Sequence, residues 1–322
     1  CEAGGPRRAR CGPFVGPRQG VARWRVELPG RPVGEPIVGS EGSSWIRCEP
    51  EGLVRVSARG EVALVHPTWP NDLPPLLVED EPRCFDPLLS ELGAPPGIEV
   101  LRTNEGTLFA IEGTRLVCWD ASGMPRWQVA RLQGASRRRL TLGDELLAET
   151  TTSPLRADLT RKTSVRWLGL REGGVRHEEQ LSGRAVNVAY AGEGLWLVSE
   201  GQRLRCLAPP ELRWEQPVGD ATAPATGGGR VALSALDGLR AFDLATGEPL
   251  FRRRGLRASH PPLIDAEGAL VLALGGDLLG LDPAGKRRWR LPLGSYGPLG
   301  PPVCASPGVV VLTAGRSLVA VA

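Results

Sequence analysis

Lysine is nearly absent from this chain. Of its 39 basic residues only Lys162 and Lys286 are lysines, and the formal net charge is +3 over 322 residues. So small an excess does not make a nucleic-acid footprint. The clusters Arg137 to Arg139 and Arg252 to Arg254 read instead as solvated strand edges, where charge discourages edge-to-edge pairing, and no nucleic-acid partner is expected. No run approaches the roughly 18 uninterrupted apolar residues of a membrane-spanning helix. The seven cysteines include no CxxC, no adjacent pair and no zinc-like cluster. His66, His177 and His260 lack metal-ligand spacing and read as ordinary surface or turn residues. Gly227-Gly228-Gly229 and Ala284-Gly285-Lys286 fall short of a phosphate loop, and there is no GxSxG elbow. No catalytic residue, cofactor site or metal site can therefore be nominated.

What the chain has in abundance is punctuation. Gly 42 and Pro 30, with 41% hydrophobic residues but only 5% aromatic, describe many short apolar strands divided by breakers, an all-β composition. Cys118, Cys206 and Cys304 fall inside apolar strand segments, where a free thiol acts as a small hydrophobe. Cys11 and Cys84 lie in irregular segments and are candidates for a disulfide in an oxidising compartment.

The breakers recur. Pro224, Pro262 and Pro302 follow one another at 38 and 40 positions, and each leads through a small turn into a β run: Val231 to Leu233, Leu270 to Leu272, Val309 to Val311. A second run then ends in a turn, as in Leu239-Arg-Ala-Phe-Asp243-Leu-Ala-Thr-Gly247, with counterparts at Leu278 to Gly285 and Leu116 to Gly123. Asp at such a place caps the turn with its own carboxylate and Gly supplies a positive φ, so Asp120, Asp243 and Asp282 read as structural. A final strand carries one large ring, at Trp127, Trp214, Phe251 and Trp289, suited to docking between neighbouring sheets. A period near 40 residues is that of a four-stranded propeller blade.

The two ends complement each other. The last repeat stops at Leu318 to Ala322 without its aromatic strand, while Val21-Ala-Arg-Trp24-Arg-Val-Glu-Leu-Pro-Gly30, similar to Arg287 to Gly294, stands at the start with no strands before it. The reading is a single closed all-β propeller over 20–322 whose N-terminal strand completes the last blade, removing exposed sheet edges. Seven blades are expected, near 31–66, 67–133, 134–182, 183–219, 220–256, 257–295, and 296–322 joined with 20–30. An insertion near 67–97, with a short helix expected at Leu88 to Leu92, makes the second overlong. If it hides a degenerate blade the number is eight.

Leu239 to Phe251 and Leu279 to Trp289 resemble the PQQ-type repeat, Leu-x-Ala-Leu-Asp-x-x-Thr-Gly-x-x-x-Trp. The resemblance is good over Gly183 to Ala322 and recognisable near Leu108 to Trp127. It implies a β-propeller of the quinoprotein-dehydrogenase-like superfamily. That superfamily holds quinoprotein dehydrogenases and also cofactor-free scaffolds, such as the propeller lipoprotein of the outer-membrane β-barrel assembly machine. The dehydrogenases stack their quinone against adjacent disulfide-linked cysteines beside calcium and a catalytic Asp; this chain has no adjacent cysteines, and its turn aspartates recur once per blade.

Cys1 followed by the Gly/Pro/Arg-rich run Gly4 to Gly20 reads as a processed bacterial lipoprotein with lipid at Cys1 and a flexible tether over 1–19. Together these features predict a non-catalytic protein-binding scaffold of the bacterial cell envelope. It would face the periplasm from the outer membrane, touch the membrane only through its lipid, and bind an envelope protein or complex. Trp69 and Phe85 in the insertion are the candidate partner contacts. A PQQ-dependent or related small-molecule oxidoreductase is the first alternative, and a sensory or adhesive surface module the second.

Overall fold

The computed structural model describes residues 14–39, 41–67, 76–78, 81–83, 100–102, 107–112, 115–130, 137–152, 162–181 and 186–322. Among them the regular structure is thirty strands and one 3-10 turn at Gly294–Tyr296. In chain order, β1 (Ala22–Glu27) precedes the antiparallel sheet β2 (Arg31–Val38), β3 (Ser44–Glu49), β4 (Gly52–Val56), β5 (Val62–His66). A two-stranded sheet, β6 (Leu76–Val78) with β7 (Glu81–Arg83), follows. Three four-stranded sheets come next: β8 (Val100–Arg102), β9 (Leu108–Glu112), β10 (Arg115–Trp119), β11 (Pro125–Ala130); β12 (Arg137–Leu142), β13 (Leu146–Thr152), β14 (Thr163–Gly169), β15 (Val175–Leu181); and β16 (Val186–Gly192), β17 (Leu195–Glu200), β18 (Arg203–Ala208), β19 (Glu211–Pro217). Two more are β20 (Ala225–Gly227), β21 (Arg230–Ala235), β22 (Gly238–Asp243), β23 (Pro249–Arg253) and β24 (Leu263–Ile264), β25 (Leu270–Leu274), β26 (Asp277–Leu281), β27 (Arg287–Pro292). The last is β28 (Val303–Ser306), β29 (Val309–Ala314) and β30 (Ser317–Val321), completed by β1.

The described residues fall into two compact units, one within Ala9–Cys84 and Gly219–Ala322, the other within Phe85–Val218. In the first, β1 pairs antiparallel with β30, Trp24 opposite Ala320 and Val26 opposite Leu318. The ladder runs on through reciprocal backbone bonds between Val21 and Ala322, at 2.8 and 2.9 Å. This is the pairing that the likeness of the Trp24 and Trp289 segments predicts. Middle strands are mostly buried, and β29 wholly so, whereas outer strands such as β1 alternate. A strand with sheets on both faces must be apolar throughout, and one that borders solvent needs only one apolar face. Val310, Leu312 and Val319 accordingly pack with Leu278 and Trp289 of the preceding sheet, and Leu318 packs with Ile46, Val54 and Val56 of the following one.

The second unit repeats the scheme. Leu140, Leu142, Leu147 and Leu168 pack on Phe109, Leu116 and Cys118 of the sheet before, and Trp167 packs on Tyr190 and Trp196 of the sheet after. The Trp167 and Trp196 rings meet edge to face at 6.3 Å. One ion pair interrupts this apolar packing. Glu149 on β13 and Arg166 on β14 are cross-strand neighbours, both buried, with Arg166 Nε 3.1 Å from Glu149 Oε2 and Arg166 Nη2 donating at 2.9 Å to the Ala130 carbonyl.

Candidate functional site

The turn aspartates are spent on their own turns. Asp120 Oδ1 accepts from the Ser122 and Met124 amides at 2.9 and 3.0 Å, and Asp243 Oδ1 from those of Ala245 and Thr246, both at 2.9 Å. Asp282 Oδ1 accepts from the Lys286 amide at 2.8 Å. The Ser122 hydroxyl and the amides hold the Asp120 carboxyl below its ordinary value. At Asp243 the Thr246 amide leads the same effect. Each carboxylate caps a turn, as its sequence position predicts.

The recurrent rings also have assigned seats. Trp24 Nε1 donates to the Ala58 carbonyl and Trp127 Nε1 to that of Leu170, both at 2.9 Å, each reaching the turn before the outer strand of the neighbouring sheet. The sheet completed by β1 has no such turn of its own, because β30 and β1 are far apart in the chain. Residues 14–20 occupy its place. Trp289 Nε1 donates to the Pro17 carbonyl at 2.9 Å; Gly16 N–H donates to Asp265 Oδ2 at 2.8 Å, and the Val15 carbonyl accepts from Gly308 at 2.8 Å. From Phe14 onward, then, the stretch expected as tether is fastened to the sheets.

Other nominated residues resolve as follows. Cys1, Cys11, Trp69, Cys84, Phe85 and the helix expected at Leu88 to Leu92 lie outside the described residues. His177 is a half-buried residue of the outer strand β15, its ring 5.2 Å from that of Trp167. His260 Nε2 lies 3.1 Å from the Leu299 carbonyl oxygen. Of the arginine clusters, Arg139 donates to Asn187 Oδ1 at 3.2 Å, Arg252 pairs with Asp237, and Arg253 donates to the Gly285 carbonyl at 2.8 Å. Among the described residues no three His, Cys, Asp or Glu side chains converge to hold a metal, and no helix is long and apolar enough to cross a membrane.

Sequence reasoning missed a groove of about 700 Å³ in the second unit, where the turns after β12, β14 and β18 meet the starts of β9 and β11. Arg126, Arg171 and Arg176 line it with Asp144, Glu145 and Glu172, a charge-balanced set. Arg176 pairs with Glu172, and Asp144 Oδ2 accepts from the Tyr190 hydroxyl at 2.5 Å while that hydroxyl accepts from the Gly194 amide at 3.0 Å. Beside these lining residues in sequence stand Met124, Val175 and Leu212, 64%, 51% and 51% exposed. The lining carries equal numbers of positive and negative side chains. The only sequence signal was the small and charged composition of the three turns.

The family model described as outer membrane protein assembly factor BamB matches residues 156–321, just over half of the chain. The chain belongs to that family. Its fold is a PQQ-like repeat β-propeller resembling BamB. The crystal structure of BamB from Moraxella catarrhalis is similar over 96% of this chain and 92% of that one, at 14% identity and a TM-score of 0.50. A streptogramin B lyase structure is similar over 93% and 97%, at 12% identity and 0.55. The Neurospora crassa Pan2 WD40 domain is similar over 95% and 96%, at 10% identity and 0.52. Identities this low speak for the fold alone. No curated protein matches the chain.

Proposed function

We propose that this BamB-family protein is a non-catalytic scaffold of the bacterial cell envelope that binds a protein partner through the loops of its propeller. The observation that carries the reading is the family match over 156–321. The chemistry of the described residues supports it: the recurrent carboxylates are occupied by turn amides, the groove of the second unit is mixed in charge, and Met124, Val175 and Leu212 of the same unit are exposed. We assign seven blades, on the strength of the seven four-stranded sheets and the β1–β30 pairing. The reading places the protein in the periplasm at the outer membrane, held by lipid on Cys1, with Trp69 and Phe85 as further partner contacts.

Cross-linking in native envelopes, followed by affinity capture and mass spectrometry, tests it. Recovery of a defined outer-membrane or periplasmic complex is the expected result; saturable, near-stoichiometric binding of PQQ with calcium, read by absorbance, would overturn it in favour of an oxidoreductase. Intact mass of the native protein tests the lipid separately, since an unmodified Cys1 removes the anchor and leaves the scaffold standing.

A further inference from the structure

The first unit carries a second concavity, of about 550 Å³, where the ends of β1 and β30 meet the 3-10 turn. Arg25, Arg31 and Arg316 line it with Glu27 and Tyr296. The three guanidinium groups come from β1, β2 and the turn between β29 and β30, so only the pairing of β1 with β30 brings them together. Among the described residues none of the three forms an ion pair, although eleven other arginines do. Two are held in place. Arg25 Cζ lies 4.3 Å over the centre of the Tyr296 ring, and Arg316 Nη2 donates at 2.9 Å to the Pro29 carbonyl. The floor is narrow: a Cβ at Gly315 would stand 1.9 Å from the Tyr296 carbonyl oxygen, so the two turns cross there at backbone contact.

We propose that this pocket binds a carboxylate presented by an acidic peptide segment of a partner protein. Among the lining residues three positive groups stand against the single Glu27, while the Tyr296 ring face holds the Arg25 guanidinium by a cation–π contact. A planar guanidinium fork matches a carboxylate with two parallel hydrogen bonds. Glu27 at the rim favours a singly charged carboxylate over a dianionic phosphate and can accept a peptide N–H beside it. The inference rests on the protein-binding reading only in supposing that a polypeptide carries the anion.

The test uses the full chain and a fluorescein-labelled hexaglutamate peptide, followed by fluorescence polarisation at about 50 mM salt, where surface charges are incompletely screened. Arg25→Gln with Arg316→Gln is expected to weaken binding at least about tenfold, as loss of charge-assisted hydrogen bonds does. Arg31→Gln alone, which disturbs no backbone contact, is expected to weaken it about threefold. Arg287→Gln with Arg288→Gln, an equal loss of charge from β27, is expected to leave it within about twofold, because distant exposed charges contribute little. The proposal is overturned if both double variants weaken the peptide equally, if the peptide does not bind, or if anionic phosphatidylglycerol vesicles, and not the peptide, respond to Arg31→Gln. These outcomes are independent of whether native cross-linking recovers an envelope complex.

Discussion

The indole of Trp289 lies flat against Gly20: a Cβ built on that glycine would stand 2.3 Å from the ring, and φ at Gly20 is +66°. Contact and conformation both demand glycine here. Alanine at position 20 must displace Trp289 as well as adopt a left-handed backbone, whereas Gly123→Ala meets only the second cost, since φ there is +82° with nothing within 4 Å. Gly20→Ala should therefore cost about 2–4 kcal/mol in urea unfolding and Gly123→Ala about 1–2 kcal/mol. Equal losses would mean that residues 14–20 are not the seat of Trp289.

The buried pair Glu149 and Arg166 gives a sharper contrast. Arg166→Met strands a carboxylate between sheets and should destabilise by about 3–5 kcal/mol, while Arg166→Met with Glu149→Leu should recover most of that loss. Urea unfolding of the two variants beside the parent decides it, and a double variant as damaged as the single would show that shape, not charge, is what the site requires.

Acid sensitivity follows from the turn caps. The folded-state pKa of Asp243 is held below the ordinary 3.8 by the Thr246 and Ala245 amides. A depressed carboxylate contributes stability that is fully present above the unfolded value and is lost as pH falls through the folded value. Asp243→Asn keeps an acceptor for the amides but does not titrate. It should narrow the stability difference from the parent as pH drops below 3.8, and parallel curves in thermal melts from pH 6 to pH 2.5 would refute the assignment.

Four thiols should be silent. Burial pushes Cys48, Cys118 and Cys206 up to about 11, and Cys304 upward as well. Because the thiolate is the reactive form, iodoacetamide at pH 8 should leave these four unlabelled in the native protein and modify them in urea. Peptide mass spectrometry that finds Cys118 or Cys206 alkylated before unfolding would contradict their packing.

The repeat was legible because its signals are local: in the best-preserved copies an Asp and a Gly close the turn, and one aromatic marks the outer strand, as at Trp127, Phe251 and Trp289. Even the distant pairing of β1 with β30 could be read, since the Trp24 segment copies the Trp289 segment. Residues 14–19 read as tether because glycine and proline look alike in a linker and in a tight seat for an indole. The place of His177 beside Trp167 had no sequence signal, because it is set by the register of β14 with β15. The groove lined by Arg126, Asp144 and Arg171 has no motif at all. It exists only where turns from separate sheets come side by side.

The β1–β30 ladder also orders events in time. A ribosome delivers Ala22–Glu27 before β2 to β29 and Ser317–Val321 after them, so β1 must wait, its hydrogen-bonding edge open, until those strands have been made. During that interval Trp24 and Val26 are available to any passing strand. The nascent chain's exposure to misassembly is thus set by how long one six-residue segment goes without its mate.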